Sequence, residues 1–385
     1  MRICIVNPFF DDVPATAVQI TGRYRHVEAL AAALARRGHQ VGVIQASHEN
    51  KSEERNSVNF LYVRAPYRSA DRLSGGPIGL GLLFRGNLKH VTESIDAFDP
   101  DAVHMNGVTL LQPLAAIGDW CQKRGRPLTV SYHGGAPRRA PWLQRAQRRI
   151  LQRCRAVLFP SAAHAEVWIS SGLLREQQVI ECMEVSSEFT PCDRASARAR
   201  TGLIGSPVFV WNASLSRRKD PLTALKGFSL IRASWPDARL YMIYLSDEML
   251  HDVEATIASS LSLRESVQLL GFIPPSAVQD FFNSADFLIQ TSLSEIGSYS
   301  VLEAMSCGVI PIITDIPLFR RVTNNGQLGV LVPVGDYRLV AERVLQINRS
   351  SIERLSDDIL SFFTRSLSYE AIAKTYEVVL SGNRI

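Results

Sequence analysis

The chain has 385 residues, too many for one average domain, and its 46% hydrophobic and 21% charged residues match a globular protein and exclude a disordered or fibrous one. Its net charge of +5 is modest and signals no nucleic-acid partner; it is also local, because Arg138, Arg139, Arg145, Arg148, Arg149, Arg153 and Arg155 fall in a stretch without a single acid. Six cysteines form no C-x-x-C pair and no regular spacing with histidine, which argues against a zinc site or a disulfide framework and fits a reduced cytoplasm.

Met1-Arg2 leads straight into a short strand, Ile3 to Val6, with nothing that reads as a signal peptide. The longest apolar stretch, Pro77 to Phe84, is too short and too rich in glycine to span a bilayer. After the first strand a long loop is expected over Pro8 to Thr21, with Gly22 preceding an amphipathic helix, Tyr24 to Arg37, stopped by Gly38-His39 before a strand from Gln40 to Gln45. Further strands are expected at Asn59 to Arg64, Ala102 to Met105, Leu128 to Tyr132, Ala156 to Phe159 and Val179 to Cys182. Strands alternating with helical stretches predict a parallel, doubly wound sheet.

Residues 186–205 are polar and irregular and read as a linker, which ends a first domain at 1–185. The alternation then restarts over 206–366: strand Val208 to Trp211, a helix opened by Asp220-Pro221, strands Arg239 to Tyr244, Val267 to Leu270, Phe287 to Gln290 and Val309 to Thr314, and helices between them. The fold class is therefore α/β, two Rossmann-like domains in series facing a cleft, with a last helix in 367–385 that has no strand of its own and packs back on the first domain.

Residues 291–311 hold the strongest chemical signal. The strand ending at Gln290 runs into a turn of serines and Gly297 that opens a helix near Ser300, with Glu295 and Glu303 on either side. A helix N-terminus with a close-approach glycine is an anion site, and two carboxylates beside it suit hydroxyls attached to a phosphate. The plainer alternative is a Ser300–Glu303 capping box with Glu295 as a loop carboxylate. Lys219, with Arg217 or Arg218, lies before the helix capped by Asp220, where a cation and free N–H groups can hold a diphosphate. His133, after a strand and before Gly134-Gly135, is the better histidine candidate; His104 ends another strand. Asp99-Pro-Asp101 reads as a turn, and no Walker A loop, H-E-x-x-H or G-x-S-x-G is present.

Four stretches together resemble the retaining glycosyltransferases of GT-B architecture, the nucleotide-sugar-using family four. They are 21–30 with 37–41; Asp101-Ala-Val-His104 with Tyr132-His-Gly134; Ser214 to Leu225; and the Glu295-x7-Glu303 block running on through Ala304-Met-Ser-Cys-Gly-Val-Ile-Pro311. The resemblance implies that Glu303 binds the ribose and Glu295 the donor sugar. It places the diphosphate on Lys219, Gly22 and the amides near Ser298 and Tyr299, the base on the backbone around Phe272 and Ile273, and His133 near the transferred sugar. It implies a nucleoside-diphosphate sugar as co-substrate, a hydroxyl acceptor, no metal, and a leaving diphosphate stabilised electrostatically. The sequence departs from the family at Ala213-Ser214-Leu215, where Gly-Arg-Leu is common, which leaves open a GT-B homologue acting only as a binding subunit; a GT-B epimerase is the other alternative. The segment Arg138 to Arg155, with Trp142, Leu143, Ile150 and Leu151, offers a face to anionic lipid at the inner side of a membrane or to a phosphorylated acceptor, or is a solvated helix face.

Overall fold

The computed structural model describes residues 1–9, 16–64 and 88–382, without the side chains of Val18 and Thr21. Pro77 to Phe84 and much of the Pro8 to Thr21 loop lie outside the described residues. The chain divides into two units, Met1–Glu184 with Tyr369–Ile385, and Val185–Ser368.

The first unit is built on an eight-stranded sheet: β1 (Arg2–Asn7), β2 (Gln40–Ser47), β3 (Lys51–Arg55), β4 (Val58–Arg64), β5 (Ala102–Asn106), β6 (Leu128–Ser131), β7 (Ala156–Phe159) and β8 (Val179–Glu181), in the order β3-β4-β2-β1-β5-β6-β7-β8. All pairings are parallel except β3 with β4. Parallel strands are covered on both faces, so they read as apolar runs, and Ile3, Ile5, Val41, Val43, Val103, Val130 and Val157 are all fully buried. The edge strand β3, Lys-Ser-Glu-Glu-Arg, has no such run. It forms because Asn56 and Ser57 both take positive φ, the two-residue hairpin turn, and Glu53 then meets Arg55 at 3.1 Å and the Tyr62 hydroxyl at 3.1 Å.

Where one helix was expected from Tyr24, two occur, Ala17–Arg23 and Arg25–Arg36, broken at Tyr24. The first begins earlier than expected because Thr16 and Gln19 make a reciprocal capping box. Gly22 consequently sits inside a helix and not in a loop ahead of one. The last helix, Tyr369–Ser381, belongs to the first unit: Glu370 pairs with Arg36 at 2.8 Å, Glu377 with Arg37, and Arg155 donates to the Leu380 carbonyl at 2.9 Å.

The second unit is a six-stranded parallel sheet of β9 (Val208–Asn212), β10 (Arg239–Ile243), β11 (Val267–Gly271), β12 (Phe287–Gln290), β13 (Ile310–Thr314) and β14 (Val330–Val332), ordered β11-β10-β9-β12-β13-β14. The chain winds outward from β9 in one direction and then returns to wind the other way from β12. Its topological switch point, where ligands of such sheets bind, therefore lies between the carboxyl ends of β9 and β12. In the first unit the same reversal lies between β1 and β5.

Residues 186–205, expected as a linker, are part of the second unit. They carry a helix, Arg194–Thr201, capped by the Asp193 carboxylate on the Ser196 N–H at 2.8 Å. Arg194 and Arg198 reach Asp286 at 2.8 and 2.9 Å, and Asp286 accepts the Val208 N–H at 2.7 Å. The segment thus ties together the starts of β9 and β12, contacts across some 90 residues that no local pattern announces.

Helix Pro221–Ser234 lies so close to helix Tyr337–Leu345 that a Cβ on Gly227 would stand 2.7 Å from Val340 Cγ1. Gly227→Ala is expected to destabilise the protein by about 1–3 kcal/mol in urea unfolding, the usual cost of overpacking. Gly22→Ala, which meets nothing within 4 Å in its helix, is expected to be neutral or slightly stabilising in the same assay.

Candidate active site

In the second unit three loops leave the carboxyl edge of the sheet together. The loop after β9 turns through Ser216 to Lys219 and delivers Asp220, at φ 48, as the N-cap of helix Pro221–Ser234, its carboxylate accepting the Thr223 N–H at 3.3 Å. The loop after β12 is sewn to it: Leu293 N–H donates to the Arg218 carbonyl at 2.8 Å and Thr291 Oγ1 to the Asp220 carbonyl at 2.6 Å. Phe272 and Ile273 follow β11 at the same edge, with Phe272 largely exposed.

At the centre is Glu295, whose side chain is only 3% exposed. Its Oε1 accepts from Lys219 Nζ, from Ser292 Oγ at 2.8 Å and from Gln290 Nε2 at 3.2 Å, and its Oε2 accepts from Arg218 Nη1 at 2.8 Å. Arg218 Nη1 also donates to the Ser294 carbonyl at 2.8 Å. Glu295 is therefore not an ordinary loop carboxylate. Burial pulls the Lys219 ammonium below its ordinary pKa, the neighbouring Arg218 adds to this, and Glu295 opposes both.

The helix after Glu295 runs Tyr299–Ser306, with Ser298 and not Ser300 as its N-cap. No side chain caps it, since Ser298 Oγ lies 3.2 Å from Gln290 Nε2 instead. The helix thus opens beside Gly297 without a side-chain cap from Ser298, the arrangement that receives an anion. With the start moved back by two residues, Glu303 falls in the second turn, which removes the Ser300–Glu303 capping box; Glu303 is buried. Gln290 Oε1 and Ser300 Oγ are buried without a partner among the described residues, hydrogen-bonding capacity left over for a ligand.

The first unit lines the carboxyl ends of β1, β5 and β6 with neutral polar groups. Asn7 Nδ2 donates to Gln45 Oε1 at 2.8 Å, Asn106 Nδ2 to Asn7 Oδ1 at 3.2 Å, and Ser131 Oγ to Asn106 Oδ1 at 3.0 Å. His133 continues the line: its Nε2 is 2.8 Å from Ser131 Oγ and its Nδ1 3.0 Å from Glu184, while Phe9 and His26 pack on its ring at 5.5 and 5.7 Å. His104 is fully buried between Thr129 Oγ1 at 2.9 Å, Asn106 Oδ1 at 3.2 Å and the Tyr376 hydroxyl at 3.3 Å, a structural residue. Asp101, in the Asp99-Pro-Asp101 turn, accepts the Arg2 N–H at 2.8 Å and pairs with Arg126.

Of the residues picked from sequence, the structure draws Arg218, Lys219, Glu295 and, through Gln290, Ser298 into one cluster, with Gly297 and Tyr299 next to it. The Arg217 side chain is exposed and makes no hydrogen bond or ion pair among the described residues. Gly22 is exposed in its helix. Gln290, Ser292 and Glu184 escaped sequence reasoning; the one signal for Gln290 was a polar residue closing an otherwise apolar strand. In the arginine segment, Arg138 and Arg148 donate to the Thr109 and Ser171 carbonyls, Arg153 pairs with Asp119, and Arg155 holds Leu380. That leaves Arg145 and Arg149 exposed on helix Pro141–Leu151 with Trp142, itself 69% exposed, and Arg139 exposed just ahead of the helix.

Two doubly wound parallel-sheet units, each with its polar groups at a switch point, define the GT-B fold. Solved structures of this fold match nearly the whole chain: a glycosyltransferase from Rickettsia africae (TM-score 0.73, 14% identity, 99% of this chain and 98% of that one), sucrose-phosphate synthase from Thermosynechococcus elongatus (0.69, 17%, 99% and 100%) and Anabaena HepE in complex with UDP (0.70, 16%, 99% and 100%). A phosphatidyl-myo-inositol mannosyltransferase of Mycobacterium leprae is 23% identical over 100% of this chain and 99% of its own. A D-inositol 3-phosphate glycosyltransferase of Paenarthrobacter aurescens is 27% identical over 37% of this chain and 36% of its own. Residues 193–357 match the family model of glycosyl transferases group 1, and residues 21–181 that of glycosyltransferase family 4. The chain belongs to the group 1 glycosyltransferases.

The buried histidines make the first unit acid-sensitive. Burial holds His104 and His26 neutral, their pKa values lowered to about 3 from an ordinary 6.5. Below pH 6.5 the unfolded chain therefore binds more protons than the folded one, so stability rises with pH in this window and falls as pH drops toward 3. Urea unfolding is expected to show a loss approaching about 1.4 kcal/mol per pH unit from His104, and His104→Gln to flatten that slope while lowering stability at neutral pH.

Proposed function

We propose that the chain transfers a hexose-type sugar from a nucleoside-diphosphate sugar to a hydroxyl acceptor with retention of configuration and without a metal. The observation that carries this reading is the cluster at the β9–β12 switch point: two cations, a helix N-terminus without a side-chain cap, and two buried glutamates, Glu295 before the helix and Glu303 within it. Solved relatives of the fold were crystallised with UDP, with UDP and glucose, and with UDP-2-fluoro glucose, which favours a nucleotide-sugar donor here. In the proposed step the bond from the anomeric carbon to the diphosphate breaks, the acceptor oxygen bonds to that carbon on the same face, and the acceptor's proton passes to a phosphate oxygen. Lys219 and the amides before Val301 stabilise the departing negative charge, which requires no protein acid. Arg217, two residues before Lys219 and with a side chain that has no hydrogen-bond or ion-pair partner among the described residues, supplies in this reading the charge that Ser214 lacks.

Calorimetric titration with UDP, GDP, ADP and dTDP in the absence of metal tests the reading. One nucleotide is expected to bind, and Lys219→Ala and Glu303→Ala each to weaken it by about tenfold or more. Binding of none of the four overturns the reading. Binding without turnover of any matching nucleotide sugar favours a subunit that only binds, and product with an inverted anomeric carbon by NMR removes the retaining assignment.

A peripheral contact with anionic lipid is the second reading, now narrowed to Trp142, Arg139, Arg145 and Arg149, which the first unit leaves unspent. Among the described residues no helix is long and apolar enough to cross a membrane. Co-sedimentation with phosphatidylglycerol vesicles at low salt is expected, falling by about fivefold or more in Arg145→Glu/Arg149→Glu, as loss of about 1 kcal/mol per arginine implies. Equal sedimentation of the two proteins removes the lipid contact.

A further inference from the structure

A carboxylate offers about four acceptor positions. On Glu295, Oε1 already accepts from three donors, Lys219, Ser292 and Gln290, Oε2 accepts from Arg218, and the side chain is almost wholly enclosed. A sugar hydroxyl therefore has nowhere to donate on Oε1 unless one of those three leaves. Ser292 and Gln290 are fixed at the end of β12, where Thr314 Oγ1 holds the Ser292 carbonyl at 2.5 Å. Arg218 is anchored a second time on Ser294. Lys219 has the freest choice, since among the described residues its ammonium has no partner other than Glu295 and stands at the mouth of the helix it precedes. It does not simply swing away, because its largely buried ammonium would then be left without an anion.

On the reading of Lys219 as a diphosphate ligand, we propose that Glu295 stands in for the donor's diphosphate in the unliganded protein. A nucleoside diphosphate draws Lys219 off Glu295 Oε1, and the freed oxygen then accepts a hydroxyl of the sugar attached to that diphosphate. Arg218 stays with Oε2 throughout and is the positioning residue that keeps Glu295 aimed. Binding of the diphosphate and of the sugar are thereby coupled, and by reciprocity each strengthens the other. A free monosaccharide, carrying no anion to exchange, finds Oε1 closed.

The test uses whichever of UDP, GDP, ADP and dTDP binds the wild-type chain, together with inorganic diphosphate. Glu295→Gln keeps the shape and removes the competing charge, so both probes are expected to bind roughly five- to tenfold tighter. The gain is expected to vanish when the substitution is made in a Lys219→Ala background. A folded Glu295→Gln protein that binds both probes equally or more weakly overturns the proposal while leaving the donor site intact; a wild-type chain that binds none of them overturns the donor reading and this proposal with it. If Glu295→Gln does not fold, the wild type answers: the side-chain carboxyl 13C signal of Glu295, assigned by its loss in Glu295→Asp, is expected to shift on saturation with the nucleotide, and an unmoved signal overturns the exchange.

Discussion

A negative charge sunk into protein has to be met by donors, and the second unit is arranged around meeting the one on Glu295. The strand end at Gln290, the serine two residues later, the loop after β9 and the capped helix that follows it all converge on that carboxylate. The four donors come as two pairs far apart in sequence, Arg218 with Lys219 and Gln290 with Ser292. Without Glu295 the two loops would share, among the described residues, only the Leu293 to Arg218, Thr291 to Asp220 and Arg218 to Ser294 hydrogen bonds, while Arg218 and Lys219 would repel. The fold places the loops at one sheet edge, and the charge decides how they close.

The first unit solves the equivalent position with neutral groups. Its line from Gln45 through Asn7, Asn106 and Ser131 is a run of amides and a hydroxyl, and only at its end, with His133 and Glu184, does charge enter. Both ring nitrogens of His133 already have partners, so the imidazole is held in one orientation by side chains from two different parts of the chain. Buried polar groups gather at the strand ends beside the two switch points, with His104 and Thr129 as exceptions inside β5 and β6, and that edge is where ligands of such sheets bind.

What was legible in the sequence was whatever repeats or caps locally. Val208 to Trp211 and Phe287 to Gln290 stand out as apolar runs, and Asp220-Pro221 and the Glu295 to Glu303 spacing name their helices and carboxylates. Strand β3 was hidden because an edge strand of charged residues has no alternation, and the Thr16–Gln19 capping box was passed over because the loop before it looked featureless. Arg194–Thr201 looked like linker because its partners, Asp280, Ser284 and Asp286, come 80 or more residues later. Gln290, Ser292 and Glu184 act through contacts fixed only by tertiary structure, and no spacing rule could have joined Glu184 to His133.

The chain leaves its first unit at Glu184 and returns to it at Tyr369. On the ribosome, therefore, the sheet of the first unit emerges long before the helix that completes it, and the entire second unit is made in between. Arg36, Arg37 and His104 wait without Glu370, Glu377 and Tyr376 until the last stretch of chain is released. The unit that begins first in synthesis is thus the one that finishes last, and a ribosome that stalls shortly before Tyr369 leaves a second unit with all of its chain beside a first unit still open along helix Arg25–Arg36.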